Sequence, residues 1–292
     1  MKRHAFYQTF YFLIILLTSC QIVNPRYFNS PSTQTTAFLE KKGDSKIAAN
    51  VSILPEEEYQ TYEWFLILPL PTGERKSKSY GFDVSTAYAF SDRFMATIGG
   101  EYKKERDLFS NNDILQTYSS SRIDYTRKAL DVGAGLIIPH KSFSQFIFNP
   151  IIGVNFGRSE SFFKNTSDTI NDDHIYHFHG NFQKLYLKPN LNFHINKNFK
   201  MSFVPQFSLM KYRDISDNYP EDARENLGLN RLRKEYLFLF EPANFYQIGF
   251  NKLEWLKLDL GMSFSIYPRA KDIPERLRTR NFQFSAGFSI YP

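Results

Sequence analysis

The densest run of metal-ligating side chains in this sequence is NDDHIYHFH at residues 171–179. His177 and His179 are two residues apart, so both would lie on one face of a strand. With His174 or Asp172 they would supply imidazole and carboxylate ligands suited to Zn²⁺ or Cu²⁺. The same histidines would also serve a hydrolytic site beside a serine, or form a polar loop base facing water.

Other catalytic signatures are missing from the sequence. It has no Gly-Xaa-Ser-Xaa-Gly, no His-Glu-Xaa-Xaa-His, no phosphate loop and no dinucleotide fingerprint. Because the spacing of three histidines is by itself a weak signal, we expect neither enzymatic activity nor a cofactor other than a covalent lipid. His174, His177 and His179 remain the candidate metal ligands.

That lipid is expected on Cys20, the only cysteine of the chain. The first residues have a basic start, an apolar core at 10–17 and small residues, as in a secretory signal peptide. The core is shorter than the about 20 residues of a spanning helix. The sequence Leu17-Thr-Ser-Cys20 matches a bacterial lipobox, so we expect residues 1–19 to be removed and Cys20 to be acylated. Residues 20–44 show no periodicity and are predicted to be a periplasmic tether.

The composition is aromatic without being hydrophobic overall. The chain has 30 Phe and 18 Tyr, yet a mean hydropathy of -0.41. This fits a barrel wall in which only alternate residues meet lipid. The formal charge of +6 is dispersed, without the clustered basic face that nucleic-acid binding needs. We expect membrane lipid, not nucleic acid, around this protein.

Residues 45–292 alternate between apolar and polar side chains in segments typical of strands. In the last segment, apolar Phe282, Phe284 and Phe288 alternate with polar Gln283 and Ser289. Ten such segments are predicted: 46–53, 80–90, 93–104, 121–138, 146–158, 176–196, 199–212, 235–250, 255–267 and 280–292.

The predicted connections alternate between short and long, as periplasmic turns and extracellular loops do in a membrane barrel. The short ones are 91–92, 139–144, 197–198 and 251–254. The long ones are 54–79, 105–120, 159–175, 213–234 and 268–279. The fold class predicted is therefore all-β, a transmembrane antiparallel up-and-down barrel of about ten strands with both termini periplasmic.

Two features sit less easily in a barrel. Pro150, Pro189, Pro205 and Pro242 fall inside predicted strands and should mark bulges or weak pairing. The apolar run from Trp64 to Pro71 falls in a predicted loop. It would extend the first hairpin, plug the lumen or touch a partner.

Strand parity also predicts which charged side chains face the lumen. They are Asp83, Glu101, Lys103, Asp131, Lys188, Glu241, Lys257 and Asp259. Mixed signs suit ion pairs that fill a narrow interior, and a barrel of about ten strands is far below the about sixteen that an aqueous channel needs.

The sequence resembles the outer-membrane β-barrel lipoproteins of unassigned role that are common in Bacteroidetes, porin-like small barrels. The resemblance is carried by Leu17-Thr-Ser-Cys20, Tyr27-Phe-Asn-Ser-Pro, the segment from Phe38 to Asp44 and the segment from Gly81 to Phe94. It implies an envelope protein and brings no catalytic residues. Surface-exported members carry acidic residues after the cysteine, which QIVNP lacks, so an anchor in the inner leaflet of the outer membrane is favoured.

Taken together, the sequence predicts a structural or interaction role in the cell envelope, within a larger protein complex or through ligand-contacting loops. One rival is a narrow channel for small or hydrophobic solutes. A second is a lipid-modifying barrel enzyme. A third is a soluble lipocalin-like barrel, which would carry its apolar side chains inside.

Overall fold

The chain folds into one closed antiparallel β-barrel, as the alternation predicted. A computed structural model describes residues 38–65, 68–111, 119–139, 145–167, 170–226, 229–266 and 282–292. The predicted signal peptide and residues 20–37 of the predicted tether, which include Cys20, lie outside these ranges. So do residues 140–144 of the predicted turn 139–144 and the whole of the predicted loop 268–279.

Ten long strands and one two-residue strand form the wall, each pairing with its neighbours in the chain. The first and last strands pair with each other and close the barrel. The strands are β1 Ser45–Phe65, β2 Leu68–Ala89, β3 Phe94–Asn111, β4 Ser119–Leu136, β5 Ile138–Pro139, β6 Phe146–Ser167, β7 Ile170–Asn196, β8 Phe199–Asp217, β9 Leu237–Phe250, β10 Leu253–Phe264 and β11 Phe282–Ile290. Strand β4 pairs directly with β6, and β5 continues that seam.

The outer face of the wall carries an apolar band, and the inward side chains at the middle of the barrel are polar. On β2, Tyr80, Phe82 and Val84 are 50%, 49% and 42% exposed, whereas Ser79 and Asp83, which have the opposite parity, are buried. Such alternation follows from the two-residue period of a strand. It contradicts the lipocalin-like rival, since the large apolar side chains of this band point away from the barrel axis.

Three of the five predicted long loops are wrong. The backbone of 54–79, 105–120 and 159–175 is largely paired strand, so β1–β2, β3–β4 and β6–β7 are long hairpins. The apolar–polar alternation stops where the outer face becomes polar, but backbone pairing does not need an apolar face to continue. Sequence periodicity therefore marked the end of the apolar band instead of the end of each strand.

The run from Trp64 to Pro71 belongs to the first of these hairpins. Its backbone pairs Trp64 with Pro69 and Phe65 with Leu68, and the register shifts between Thr61 and Tyr62. Of the three alternatives, the backbone thus adopts the extended hairpin. The side chains of this run lie outside the described part.

The connection between β8 and β9 contains two short helices, α1 (Glu221–Asn226) and α2 (Leu229–Lys234). Arg224 and Arg233 bind the carboxylate of Asp217 at the end of β8. In the described ranges, no helix combines the length and the apolarity needed to cross a membrane.

The four strand prolines occupy one row across adjacent strands. Pro150 of β6 is the register partner of Pro189 of β7, and Pro205 of β8 is that of Pro242 of β9. Pairing of β7 with β8 runs to Leu187, opposite Phe207, and resumes at Leu191 in the same register. The prolines interrupt a ladder here, as predicted, without a bulge.

Candidate functional site

The barrel interior has three levels, which decide whether anything can pass through it. The level near the short turns is apolar and includes the start of the described chain. A polar layer of paired charges fills the middle. An apolar core under helix α2 fills the level near the long hairpins.

The centre of the polar layer is the carboxylate of Glu241, which is 0% exposed. The Lys184 ammonium donates to both of its oxygens, at 3.2 and 3.1 Å. Gln206 Nε2 and Ser208 Oγ donate to its Oε2, at 2.6 and 2.7 Å. A buried carboxylate with one cation and two neutral donors is a fully compensated charge.

A second pair lies across the same layer. The guanidinium of Arg127 is buried, and its Nε and Nη2 donate to Glu101 Oε1 at 2.8 and 2.5 Å. The Tyr186 hydroxyl donates to Asp131 at 2.7 Å, and the Lys188 ammonium lies 4.4 Å from the Tyr186 ring centroid. Side chains from β4 and β7, which are not neighbouring strands, thus meet in the lumen.

Further pairs connect the layer to the strands that close the barrel. Lys46 of β1 contacts Asp259 of β10 at 2.9 Å, and Asn50 donates to Asp83 at 3.0 Å. Lys103 of β3 reaches Gln283 of β11 at 2.5 Å. The Lys103–Gln283 contact joins residues 180 positions apart, and the Lys46–Asp259 contact joins residues still farther apart in the chain.

The polar layer contains a cavity of about 50 Å³ bordered by Asp83, Glu101, Asp131, Lys188 and Gln206. A buried water needs at least about 10–15 Å³ by this measure, so the cavity holds only a few water molecules. It is too small for a solute of ordinary ligand size.

The level near the short turns is closed by the residues that precede β1. Leu39 is 0% exposed and belongs to one cluster with Ala89, Met95, Ile137 and Ile147. The neighbouring Phe38 is also buried, and the Lys46 ammonium lies 5.7 Å from its ring centroid. We call Phe38 and Leu39 the turn-end plug.

The opposite level is closed by side chains from the wall and from α2. Leu229 and Leu232 of α2 pack into an apolar cluster with inward side chains of four strands, β4, β7, β8 and β9. The cluster comprises Ile123, Tyr125, Phe178, Phe182, Met210, Tyr212, Leu229, Leu232, Leu237 and Leu239. We call it the loop-end core.

Tyr219 joins this core from the segment before α1. Its ring stacks on that of Tyr176, with 5.0 Å between centroids. Burial is the main cause that raises the pKa of the Tyr219 phenol, to about 12. The phenol is therefore neutral over the physiological pH range.

The predicted lumen residues fall at different depths. Asp83, Lys103, Glu241 and Asp259 are buried inside the barrel. Glu101, Asp131 and Lys188 are partly exposed and line the cavity. Lys257 is partly exposed near the short turns, with its ammonium beside Gly249.

His177 and His179 do not face the lumen. Phe178 is buried in the loop-end core, so His177 and His179 on either side of it point outward. His179 Nδ1 lies 3.6 Å from Glu160. The side chain of His174 lies outside the described part, and within that part no three metal-ligating side chains converge.

Sequence reasoning missed Arg127, Lys184 and Lys46, three of the cations that occupy the interior. Arg127 shares the parity of Asp131, and Lys184 shares that of Lys188. Extending the inward parity by four residues along each strand would have found both. Which carboxylate each cation meets depends on packing across the lumen and leaves no local signal.

No protein-family model and no curated protein sequence matches this chain. Solved structures do resemble it in shape. The translocator domain of the autotransporter NalP from Neisseria meningitidis is 8% identical, with a TM-score of 0.48, covering 89% of this chain and 90% of that one. The outer membrane protease OmpT from Escherichia coli is 10% identical, with a TM-score of 0.46, covering 89% and 100%.

Ail, the attachment invasion locus protein of Yersinia pestis, is 11% identical, with a TM-score of 0.28, covering 85% and 99%. At these identities and scores, nothing that such proteins do carries over to this chain. The class that the strand pairing defines is a closed antiparallel β-barrel of ten long strands with a filled interior.

Proposed function

We propose that this chain is an outer-membrane β-barrel lipoprotein with a closed lumen, and that it acts through its surfaces as a structural or interaction component of the cell envelope. The filled interior is the observation that carries the proposal. The turn-end plug, the polar layer and the loop-end core follow one another along the barrel axis.

Membrane insertion is supported by the outer face. Exposed Phe, Leu, Ile, Val and Tyr side chains recur on every long strand of the wall. Soluble monomers rarely expose a contiguous apolar patch larger than a few hundred Å². An apolar band that encircles a closed barrel is instead suited to hydrocarbon, which is the solvent of a membrane barrel.

An interaction role is supported by the long hairpins. Their outer face combines exposed Leu108, Phe162 and Ile175 with surface ion pairs such as Arg106–Asp124 at 2.6 Å. Protein-binding surfaces commonly combine an apolar centre with a polar and charged rim, and this paired sheet carries both kinds of side chain. Co-purification of the full chain from gently solubilised membranes identifies the proteins that bind this surface. The Phe162→Ser variant should co-purify with less of them.

The expected lipid on Cys20 completes the proposal. An N-terminal anchor on the periplasmic side agrees with short turns and both termini on that side of the membrane. The Cys20→Ala variant is expected to lose the mass of the acyl chains while the barrel still forms. An unchanged mass would contradict the lipoprotein assignment.

Planar-bilayer recording on the purified full chain tests the closed lumen. We expect no steady conductance steps under conditions in which a general porin in the same bilayer conducts. Stable steps in the intact protein would favour the narrow-channel alternative and end the proposal of a closed barrel. A parallel check of membrane insertion separates a silent barrel from one that failed to insert.

A further inference from the structure

The outer wall carries an open groove of about 690 Å³ across strands β2, β3, β4 and β6. Its apolar sides are Phe82, Tyr102, Leu130 and Phe156, and its floor includes Gly100. Gly100 points outward on β3, and a Cβ there would meet only the Ala129 carbonyl oxygen, at 3.8 Å. The groove therefore exists because one outward position of the apolar band has no side chain.

Two cations stand at the hairpin end of this groove. Lys128 of β4 and Arg158 of β6 are direct register partners, both are exposed, and both line the groove. Like charges directly opposite one another on paired strands are destabilising. Such a pair is compensated when an anion binds between the two side chains.

The carboxylates nearby do not provide that anion for both cations. Arg158 Nε contacts Glu160 Oε1 at 2.6 Å, with the two side chains 55% and 44% exposed. The Lys128 ammonium instead lies 5.9 Å from the Tyr102 ring centroid. Within the described residues, Lys128 has no carboxylate partner.

The pair also lies at the edge of the apolar band, where outward side chains change from apolar to charged. Lys78 on β2, Lys104 on β3 and Lys211 on β8 occupy equivalent outward positions. Basic side chains at this depth face the phosphate region of a leaflet when the band lies in hydrocarbon. At Lys128 and Arg158, an open apolar groove runs from the cations into the band.

We propose that this groove is a binding site for one phosphate-bearing lipid of the leaflet on the hairpin side. Its phosphate accepts hydrogen bonds from Lys128 and Arg158, and an acyl chain lies over Gly100 between Phe82 and Phe156. The proposal rests on membrane insertion but not on the proposed absence of conductance.

Native mass spectrometry of the full chain in detergent micelles, titrated with diphosphoryl lipid A, tests the site. We expect one lipid molecule to be retained by the unmodified chain. Each basic side chain near an anionic lipid is worth a factor of about five, so Lys128→Gln with Arg158→Gln should weaken binding roughly 30-fold. Phosphatidylcholine, whose headgroup has no net charge, should be retained less well.

Two further variants separate a built site from general attraction. Gly100→Leu fills the groove while leaving both cations in place, and it should also weaken retention. Lys211→Gln removes a cation at the same edge of the apolar band on β8, outside the groove, and it should leave retention unchanged. Gel mobility with and without heating shows that each variant is a folded barrel.

Equal binding by the double variant and the unmodified chain would overturn the proposal. So would a roughly fivefold loss in Lys211→Gln, because binding would then follow total charge. A chain that fails to insert into micelles at all would instead count against the proposed function, which keeps the two failures distinct.

Discussion

The two sides of the barrel wall differ in how continuously their strands pair. From β2 through β4, every register runs unbroken, from Gly73 opposite Asn111 to Phe94 opposite Leu136. From β6 through β9, four prolines cross the wall in one row. The comparison shows how a closed barrel, which has no edge, accommodates residues without an N–H.

The answer lies in the direction of each missing N–H. Along an antiparallel strand, successive N–H groups face alternate neighbours. Phe240 N–H donates to Ile266 O beside β10, so the nitrogen of Pro242, two residues on, faces the same seam. His194 N–H donates to Gln145 O beside β6, so the nitrogen of Pro189, five residues away, faces β8.

The lost donors are thus concentrated at particular seams. The β6–β7 and β8–β9 ladders continue through the paired prolines, because these positions are not hydrogen-bonded ones. The β7–β8 ladder is interrupted where Pro189 and Pro205 face each other. Placing prolines opposite prolines therefore lets two missing donors coincide at one gap.

At Pro150 the neighbouring side chain compensates. Ile137 N–H donates to the carbonyl oxygen of Arg93, the residue before β3, so the Leu136 carbonyl faces β6 and would have accepted from residue 150. Asn149 Nδ2 donates to that carbonyl instead, at 3.2 Å. Asn149 is 0% exposed, and its own oxygen accepts from Asn192.

The largest effect is expected from the interior of the proline side. Glu241→Ala leaves the Lys184 ammonium buried without its carboxylate, which costs about 3–5 kcal/mol of unfolding free energy. Equilibrium denaturation of the chain folded in lipid vesicles measures it. The exposed Glu160→Gln change should cost less than about 1 kcal/mol, and equal losses would contradict the role given to the buried pair.

A smaller loss is expected at the compensated proline. Asn149→Ala leaves the Leu136 carbonyl unsatisfied and should cost about 1–3 kcal/mol in the same assay. Ser202→Ala is the matched control, because the buried Ser202 Oγ has no partner among the described atoms. If the two variants lose the same stability, the amide of Asn149 does not compensate Pro150.

The third test compares the two sides of the wall directly. The amides of Leu191 and Phe203, which face the β7–β8 seam beside the gap, should exchange about five- to tenfold faster than those at 97–101 of β3. This is the factor that one lost hydrogen bond of about 1 kcal/mol implies. Pro189→Thr, which adds a donor at the gap, should slow this exchange. Equal amide exchange rates beside the β7–β8 gap and in β3 would show that the two sides of the wall do not differ in hydrogen-bond stability.

The smallest effect is expected above the proline side, at Tyr219. Because burial raises the pKa of its phenol to about 12, its contribution to stability is complete below about pH 10 and is lost as the pH rises toward 12. Absorbance at 295 nm should show one late-titrating phenol that Tyr219→Phe removes. At neutral pH that variant should lose about 1 kcal/mol of unfolding free energy or less, because it gives up the hydrogen bond between the phenol and Ser161.

Local pattern was enough for the barrel, yet not for the length of its hairpins. Successive side chains of a strand point to opposite faces, so the sequence of β2 alone predicts that Phe82 is on the outer face and Asp83 on the inner face. The pairing of Lys104 with Tyr80 continues a strand whose outer face is already charged. Nothing in the periodicity marks such a continuation.

The sequence predicted only some of the side chains that fill the lumen and none of their partners. Alternation indicates which charged residues share the inner face, but the partner of Lys184 lies 57 residues away on β9. The closure of the two ends by Leu39 and by Leu232 of α2 is equally remote from any local pattern. Cys20 and the signal peptide remain predictions from the sequence.

What the sequence by itself determined is the class of fold and the two faces of its wall, because a strand repeats every two residues whatever it pairs with. Only the tertiary structure decided that Pro150, Pro189, Pro205 and Pro242 share one row and that the interior is filled from end to end. The register between strands and the packing across the lumen depend on many contacts between residues that are far apart in the sequence. A local two-residue period carries no information about those contacts.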